Sequence, residues 1–317
     1  MDADEPPLAL RRFVLEQLGP VASWRRRDDG RGHTRVWLVS TVAGEGVAGE
    51  GVAGEGASGK GAAGKGAVLK HHLGARGFAQ EREALSRWFE GPGPDGGRWP
   101  VPRLLAFDVA TRALLLEQLV GEAADPSAPG IHEAAGRFLA ALHSLPIPDR
   151  DPMPLSEALE RRWRGWLAGC ADALDSELRA GLEAIAPARV DLEGVARVPC
   201  HRDFGPHNWL WTGEQLAVID FEHARADLPA VDFAKLWAGA WRSKPELGQA
   251  FSRGYFASSC GRQNIAQISE GAFSCALALH GLASLAWGMR HADADFEAEG
   301  RHAIALAVAK ACTFLDQ

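Results

Sequence analysis

The stretch VPCHRDFGPHNWLW, residues 198–211, decides how the second half of the chain folds. It places Asp203, Asn208 and a Gly-Pro turn in one short segment between apolar residues. The NWLW that ends it and the following QLAVIDF are separated by TGE, which predicts a small β-hairpin. Asp203 and Asn208 therefore precede and begin a hairpin, and Asp220 follows its second strand.

These three polar residues suggest a chemistry. A loop aspartate can orient a hydroxyl group, while an asparagine and a second aspartate share a divalent cation, and phosphoryl transfer requires this set. Mg²⁺ prefers hard oxygen ligands and keeps several waters, so Asn208 and Asp220 with nucleotide phosphates suffice. Taken singly, Asp203 is equally explained as a turn residue and Asn208 as a strand cap. The combination favours phosphoryl transfer.

Composition limits the class of protein. The chain has 317 residues, 46% hydrophobic and 24% charged, which is typical of a soluble globular protein with one large domain or two. The formal net charge of −7 argues against a nucleic-acid partner. Five scattered cysteines without a C-x-x-C pair argue against a disulfide framework and a zinc site. No run of 18 apolar residues and no secretory signal are present, so we expect no membrane partner and a cytoplasmic location.

The first 120 residues have the pattern of a small sheet. PPLALRRFVLEQLG predicts a helix, and RVWLVSTV (35–42) and GAVLKHH (66–72) predict strands. The glycine-rich pentapeptides of residues 44–68 predict a flexible loop joining these strands, with the last repeat entering the second strand. We interpret the tract as an expanded surface loop that the fold tolerates, and not as a binding element. A helix over 77–91 and two strands around a turn at 110–112 complete this part.

From about residue 131 the pattern is helical, and only the hairpin around 208–221 interrupts it. The last two helices, between about residues 265 and 316, are long and apolar. Cys200 is predicted to lie in the core. So are four tryptophans at helical spacing, Trp163, Trp166, Trp237 and Trp241. The sequence therefore predicts an α+β fold with a β-rich N-terminal part and a mostly helical C-terminal part.

Lys70 stands out on its predicted strand because its neighbours Val68 and Leu69 are apolar. A lysine there needs a partner, and the following helix offers Glu81, with Glu83 as the alternative. A lysine fixed in this way supplies the cation that nucleotide phosphates require. The other interpretation is a solvated lysine at a strand edge, beside equally exposed histidines at 71 and 72.

Five motifs in order resemble the aminoglycoside phosphotransferase family over roughly residues 30–290: VLK, EREAL, LLLEQLVGE, CHRDFGPHNWL and VIDFEHARADLPAVDFAKL. The resemblance implies a bilobal protein-kinase-like fold. It implies an N-lobe, 1–119, that binds the nucleotide, and a C-lobe, 120–317, that carries the catalytic loop, metal site and substrate site. The implied activity is ATP- or GTP-dependent transfer of the γ-phosphate to a hydroxyl of a small molecule.

The resemblance also implies roles for individual residues. Asp203 becomes the catalytic base, Asn208 and Asp220 the Mg²⁺ ligands, and Lys70 with Glu81 a lobe-spanning ion pair. The segment Glu117, Gln118 and Leu119 becomes the hinge whose backbone meets the nucleobase. Asp232 becomes a structural aspartate, which we interpret as a buried hydrogen-bonding anchor for the catalytic loop.

The sequence departs from the family in places. Arg202 stands where the family often has glycine, and the metal motif reads DFE. No A-P-E motif follows Asp220, which argues against a protein substrate. The phosphate-binding loop is weak, because DDGRGHTRVW supplies only Gly30 and Gly32. Within the catalytic loop, we expect His201 to bond to nearby backbone, and His207 either to touch substrate or to be exposed.

The acceptor is predicted only by class. It is a hydroxylated small molecule, with cationic ones included: an aminoglycoside or other antibiotic, in resistance or self-protection, or a metabolite. The acidic run at Asp293, Asp295, Glu297 and Glu299 complements a helix dipole, and polyamine binding is the alternative. Two other functions remain open at this point, namely a protein kinase and a catalytically silent nucleotide-binding module.

Overall fold

The computed structural model describes residues 5–27, 34–42, 66–266 and 268–309, with the backbone alone at 265 and 266. The chain divides into two compact units. The first is Met1–Glu90 with Val101–Val120, and the second is Gly91–Pro100 with Gly121–Gln317. The functional division predicted at residue 120, with nucleotide binding before it and substrate binding after it, remains a prediction.

The first unit is a five-stranded antiparallel sheet with two helices, in strand order β1-β2-β3-β5-β4. The predicted helices and four of the strands are confirmed. One strand, β1, was not predicted, because most of its side chains are exposed and its sequence VASWRR lacks clear alternation. The elements are α1 (Leu8–Leu18), β1 (Val21–Arg26), β2 (Thr34–Thr41), β3 (Gly66–His72), α2 (Ala75–Arg87), β4 (Leu104–Asp108) and β5 (Ala113–Glu117).

The two faces of this sheet pack against different helices. Leu69 and Leu115 belong to a cluster with Leu10 and Val14 of α1. Leu114 and Leu116 belong to another cluster, with Phe78 of α2. Because side chains alternate along a strand, the residue after Leu69 faces the side of α2. The core thereby directs Lys70 toward that helix.

Part of the repeat tract is seen in the sheet. As predicted, its last repeat enters the strand, since Gly66 to Val68 begin β3. The rest of the predicted loop, and the predicted phosphate-loop glycines Gly30 and Gly32, lie outside the described residues.

The second unit is mostly helical, with two small sheets of order β6-β8-β9 and β10-β7. Its strands are β6 (Glu122–Ala123), β7 (Val198–Cys200), β8 (Trp209–Trp211), β9 (Leu216–Val218) and β10 (Arg225–Asp227). Its helices are α3 (Pro129–His143), α4 (Leu155–Cys170), α5 (Ser176–Ala184), α6 (Ala234–Leu236), α7 (Pro245–Phe256), α8 (Ser259–Ala266), α9 (Glu270–His291) and α10 (Ala294–Val308).

The predicted hairpin is β8–β9, and its pairing is antiparallel. The expectation that nothing else interrupts the helical pattern after residue 131 is wrong, because β7 and β10 also form. These strands have three residues each, too few to show a period, and they pair with each other. The predicted helix over VDFAKLWAGAWRS is also irregular, since a π-helical turn at Trp237–Trp241 follows α6.

The core of the second unit includes α9, which packs on α10. A Cβ on Gly300 would lie 2.4 Å from the Leu285 backbone nitrogen, so the two helices approach at backbone distance. Among the described residues, α9 is the one helix long and apolar enough to cross a membrane. In the most apolar 18-residue stretch of α9, 78% is buried within the structure, as expected of a core helix. Cys200 is buried as predicted, and so are the four tryptophans except Trp166, which is half-buried.

Candidate active site

Lys70 and Glu81 form a buried ion pair in the first unit. The Lys70 Nζ lies 2.8 Å from Glu81 Oε1 and 2.7 Å from Oε2. The alternative partner, Glu83, lies 3.7 Å from Arg87 instead. The solvated-edge interpretation of Lys70 is wrong, because β3 is paired on both sides and Lys70 is only 6% exposed.

His72 joins this pair. Its Nε2 lies 3.0 Å from Glu81 Oε2, and both side chains are buried. The expectation that the histidines beside Lys70 are exposed is therefore wrong for His72. Burial alone would raise the pKa of Glu81, but the charge of Lys70 and the contact with His72 hold it well below its ordinary value. The pair joins β3 to α2 within one unit, so its description as lobe-spanning is also wrong.

The predicted hinge follows β5. The Glu117 N–H donates to Arg103 O at 2.9 Å, and the Gln118 N–H donates to Gly66 O at 3.3 Å. A Cβ on Gly66 would lie 2.1 Å from the Gln118 side-chain oxygen, so a larger residue there would require the Gln118 side chain to move. These contacts fix the backbone that leads into Leu119. A role in nucleobase binding remains a prediction.

In the second unit, the loop between β7 and β8 holds Asp203 by its own side chains. Asn208 Nδ2 donates to Asp203 O at 3.0 Å and to Asp203 Oδ2 at 3.2 Å. His207 Nε2 lies 3.0 Å from the same Oδ2. The Nζ of Lys235, a residue that the sequence did not indicate, lies 3.5 Å from Asp203 Oδ1. Burial would raise the pKa of Asp203, but His207 and Lys235 hold it well below its ordinary value, so the carboxylate is charged.

Asp232 anchors this loop, as predicted. Its buried carboxylate accepts from the backbone N–H of His201 at 2.9 Å and from that of Arg202. His143 Nε2 lies 3.0 Å from Asp232 Oδ2, and His143 Nδ1 lies 2.7 Å from Tyr255 Oη. His201 has the predicted structural role, since its Nε2 lies 3.0 Å from Ile219 O. The groups that position the loop thus come from α3 and α7 as well.

Arg202 has a structural partner that explains its presence. Its φ is +68°, and its Nε lies 2.9 Å from Asp227 Oδ2. Asp227 also accepts two bonds from the Arg162 guanidinium, at 2.6 and 2.7 Å. Burial would raise the pKa of Asp227, but Arg162 and Arg202 hold it well below its ordinary value. Arg202, where the family often has glycine, therefore ties the loop between β7 and β8 to β10.

Asn208 and Asp220 come together at the hairpin. The Ile219 N–H donates to Asn208 O at 3.0 Å, so Asp220 follows directly after the residue bonded to Asn208. Asp220 has φ +69°, a left-handed conformation that costs about 1–2 kcal/mol. Among the described residues, four non-glycine residues have positive φ, and Arg202 and Asp220 are two of them. Such conformations cluster at active sites.

The donor set at this hairpin suits a hard cation. Because Asn208 Nδ2 donates to Asp203, its Oδ1 is the amide atom left to act as a ligand. A carboxylate from Asp220 adds a second oxygen. Amide and carboxylate oxygens are ligands that Mg²⁺ accepts, so the residues present fit this ion.

A second cluster does not suit a metal. Donor atoms of His143, Cys200 and Asp232 lie within 4.8 Å of one another. However, the histidine and the aspartate contact each other, and the aspartate also accepts from the loop backbone. Cys200 Sγ contacts the carbonyls of Asp227 and Leu228 at 3.6 Å, and burial raises its pKa well above its ordinary value. A protonated thiol is a poor ligand, so this cluster is structural.

The acidic run has two separate roles. Asp293 caps α10, since its Oδ1 accepts from the N–H groups of Asp295 and Phe296 at 3.2 and 3.3 Å. This supports the helix-dipole interpretation. Glu299 instead pairs with His280, whose Nε2 lies 3.0 Å away. That contact lowers the pKa of Glu299, burial opposes the shift, and the charge of Lys235 lowers the pKa further.

Solved structures share this fold. An aminoglycoside phosphotransferase, APH(4)-Ia, in a ternary complex with AMP-PNP and hygromycin B matches with a TM-score of 0.69 at 16% identity, covering 97% of this chain and 100% of that one. An ethanolamine kinase of Plasmodium vivax matches with a TM-score of 0.64 at 16% identity, covering 94% and 86%. The predicted α+β, protein-kinase-like fold is confirmed.

The sequence identifies the family. The model of the phosphotransferase enzyme family (APH) matches residues 60–268, so the chain belongs to that family. A curated relative, the N-acetylmuramate/N-acetylglucosamine kinase of Caulobacter vibrioides, is 31% identical over 210 residues. The match covers 53% of this chain and 57% of the relative's length. The resemblance drawn from the five motifs is confirmed.

Proposed function

We propose that the protein transfers the γ-phosphoryl group of ATP to a hydroxyl group of a small molecule. The observation that carries the proposal is the fixed Asp203 carboxylate, held by His207 and Asn208 on a loop whose backbone is bonded to the buried Asp232. A carboxylate held in place and ionised can orient the acceptor hydroxyl and take its proton, an effect worth about 10²–10⁴ in rate.

Two further groups of residues would serve the nucleotide. In the first unit, Lys70, held by Glu81, would meet the phosphates, and the backbone of Glu117 to Leu119 would meet the base. In the second unit, Asn208 and Asp220 would hold Mg²⁺, which, when bound, neutralises phosphate charge. AMP-PNP and ADP in solved structures of APH(4)-Ia support ATP as the donor here, with GTP as the alternative.

We propose a hydroxylated acceptor that carries an amine or an amide. Two similar proteins are named as kinases of such molecules, N-acetylmuramate or N-acetylglucosamine and ethanolamine, and APH(4)-Ia is solved in a complex with hygromycin B. An antibiotic as acceptor would make the protein a resistance or self-protection enzyme, and an amino sugar would make it a metabolic kinase. A cytoplasmic enzyme without nucleic-acid or membrane partners fits either role.

The structure between Asp220 and Asp232 disfavours a protein acceptor. β10 and a 3₁₀ turn at Pro229–Asp232 occupy this described stretch and lead directly to α6. A long phosphorylatable segment, the feature that switches protein kinases, has no room there.

A screen for product tests the proposal. Purified protein is incubated with Mg²⁺ and ATP or GTP and with N-acetylglucosamine, N-acetylmuramate, hygromycin B, gentamicin and ethanolamine, in pools and then singly. Mass spectrometry detects an acceptor heavier by one phosphoryl group, and Asp203→Asn is the control. We expect one class of acceptor to gain a phosphoryl group with the wild-type protein and not with Asp203→Asn. Nucleotide binding without any product in wider acceptor pools would favour the silent binding module instead.

A further inference from the structure

Lys235 lies on a backbone segment that is fixed by burial. Six of the seven residues from Asp232 to Ala238 are buried, and Lys235 is the exception. Phe233 stacks on Phe273 with ring centroids 5.9 Å apart, and Asp232 binds the catalytic loop. The origin of the Lys235 side chain is therefore fixed relative to Asp203.

The lysine lies beside one particular oxygen of Asp203. The loop's own side chains bind Oδ2, through His207 and Asn208. Lys235 Nζ lies 3.5 Å from Oδ1, which is long for a hydrogen bond. About one third of each side chain is exposed, 34% for Lys235 and 32% for Asp203. Oδ1 is thus the oxygen that an acceptor hydroxyl can share with the ammonium group.

Such a lysine weakens Asp203 as a base, since a nearby cation favours the charged carboxylate. A strong base is not what phosphoryl transfer most needs. In its loose transition state the charge lies mainly on the transferred phosphoryl oxygens, and stabilising that charge is the larger effect. A cation next to the acceptor position is suited to this task.

The surroundings of Lys235 keep it available. Glu299, a carboxylate on α10, lies 3.0 Å from His280 Nε2 of α9, which holds it in place. The charge of Lys235 lowers the pKa of Glu299, so the ammonium group acts on this carboxylate as well as on Asp203. One third of the Lys235 side chain remains exposed and can meet a ligand.

We propose that Lys235 is a further catalytic residue, whose ammonium group binds the phosphoryl group as it reaches the acceptor hydroxyl beside Asp203. The bond from the γ-phosphorus to the bridging oxygen of ATP breaks, and a bond from that phosphorus to the acceptor oxygen forms. The hydroxyl proton goes to Asp203, and ADP leaves with the bond's electron pair. This inference rests on the proposed function and adds a cation from the second unit to it.

The test compares binding of the nucleotide with binding of a transition-state mimic. Calorimetry measures the affinity for MgADP alone and for MgADP with aluminium fluoride, which stands for the phosphoryl group in transfer. The variants are Lys235→Met, which removes the charge at similar length, and Lys235→Arg, which keeps it. Lys244→Met is the matched control, because Lys244 is an exposed lysine of the same unit outside the site.

We expect Lys235→Met to bind MgADP as wild type does and the aluminium fluoride complex at least tenfold more weakly. Lys235→Arg should recover part of this loss, and Lys244→Met should show none. Turnover with the acceptor found by the screen should fall about 10²–10³-fold in Lys235→Met, with little change in the KM for ATP.

Equal affinity of Lys235→Met and wild type for the aluminium fluoride complex would overturn the role of Lys235 and leave the proposed function standing. Failure of wild type to bind MgADP at all would overturn the proposed function, and this inference with it. Circular dichroism and a thermal melt of each variant show whether a loss of binding comes from unfolding.

Discussion

The two charged sites of this protein are built in opposite ways. In the first unit, Lys70 and Glu81 form a buried pair from neighbouring elements, β3 and α2. In the second unit, Asp203 is half-exposed, and groups far away in sequence hold its loop through Asp232 and Asp227. The first site is a local cluster on neighbouring elements, which His72 of β3 joins, whereas the second depends on contacts between residues far apart in sequence.

Because of this difference, substitutions at the two sites should affect stability and activity to different degrees. Loss of Lys70 removes the cation that balances the buried Glu81 carboxylate, so it should affect folding and activity together. Asp203 can lose its charge without leaving a buried one behind, because its neighbours His207 and Lys235 reach solvent. Substitutions at the two sites should therefore differ in how far they lower stability and how far they lower turnover.

The largest effect is expected at the buried pair. Lys70→Met should lower the free energy of unfolding by about 3–5 kcal/mol, because it leaves Glu81 charged and buried. Turnover should fall at least as far as in Asp203→Asn, because the phosphates lose their cation. Asp220→Ala should damage turnover to the same degree, and near-wild-type turnover in that variant would contradict the metal assignment. Urea denaturation and steady-state kinetics measure the two quantities.

A double variant sharpens this prediction. Lys70→Met with Glu81→Leu removes both charges, so most of the lost stability should return while turnover stays low. Recovery of turnover in the double variant would show that Lys70 acts only through folding.

The next effect is expected at Asp227. Asp227→Asn removes the buried carboxylate that the guanidinium groups of Arg162 and Arg202 contact, and we expect a loss of about 3 kcal/mol or more in stability. Turnover should also fall, because Arg202 belongs to the catalytic loop. Urea denaturation and kinetics apply again, with the exposed Asp191→Asn as the control. Unchanged stability would mean that the guanidinium groups find water or other partners.

A smaller loss of stability is expected when the pH is lowered. The pKa values of Glu81 and Asp227 are lower in the folded chain than their ordinary values of 4.5 and 3.8. The unfolded state therefore binds protons first as pH falls, so this stability is present above those values and is lost below them. Urea denaturation from pH 7 to pH 3 should show a decline that begins near pH 5. The loss of stability with falling pH should be shallower in the double variant Lys70→Met with Glu81→Leu than in wild type. An equally steep loss in the two proteins would contradict the role of Glu81.

The smallest effect is expected from Arg202→Gly. Glycine relieves the positive φ at this position, which favours the variant by about 1 kcal/mol, whereas the contact with Asp227 is lost. Asp227 keeps the two bonds from Arg162. We expect a net change in stability within about 1–2 kcal/mol and a modest decrease in turnover. A large loss of stability would mean that Arg202, rather than Arg162, is the main partner of Asp227.

The same contrast explains what the sequence could predict. Lys70 and Glu81 were predictable because the strand and helix that carry them are adjacent in the chain and each has a clear period. Asp203, Asn208 and Asp220 were predictable because a hairpin fixes their spacing.

The supporting network was not predictable. Arg162 meets Asp227 across 65 positions, and His143 meets Tyr255 across 112. Local patterns carry no signal for such contacts. Lys235 had one weak signal, its position shortly after Asp232, but only the structure brings it to Asp203.

Binding and transfer can be separated at Asp203. MgATP affinity by calorimetry and transfer of the labelled γ-phosphoryl group to the acceptor are measured for wild type, Asp203→Asn and the exposed control Asp172→Asn. We expect similar affinities in all three proteins, and transfer that is about 10²–10⁴-fold slower in Asp203→Asn alone. Transfer by Asp203→Asn at the wild-type rate would contradict the assignment of Asp203 as the catalytic base.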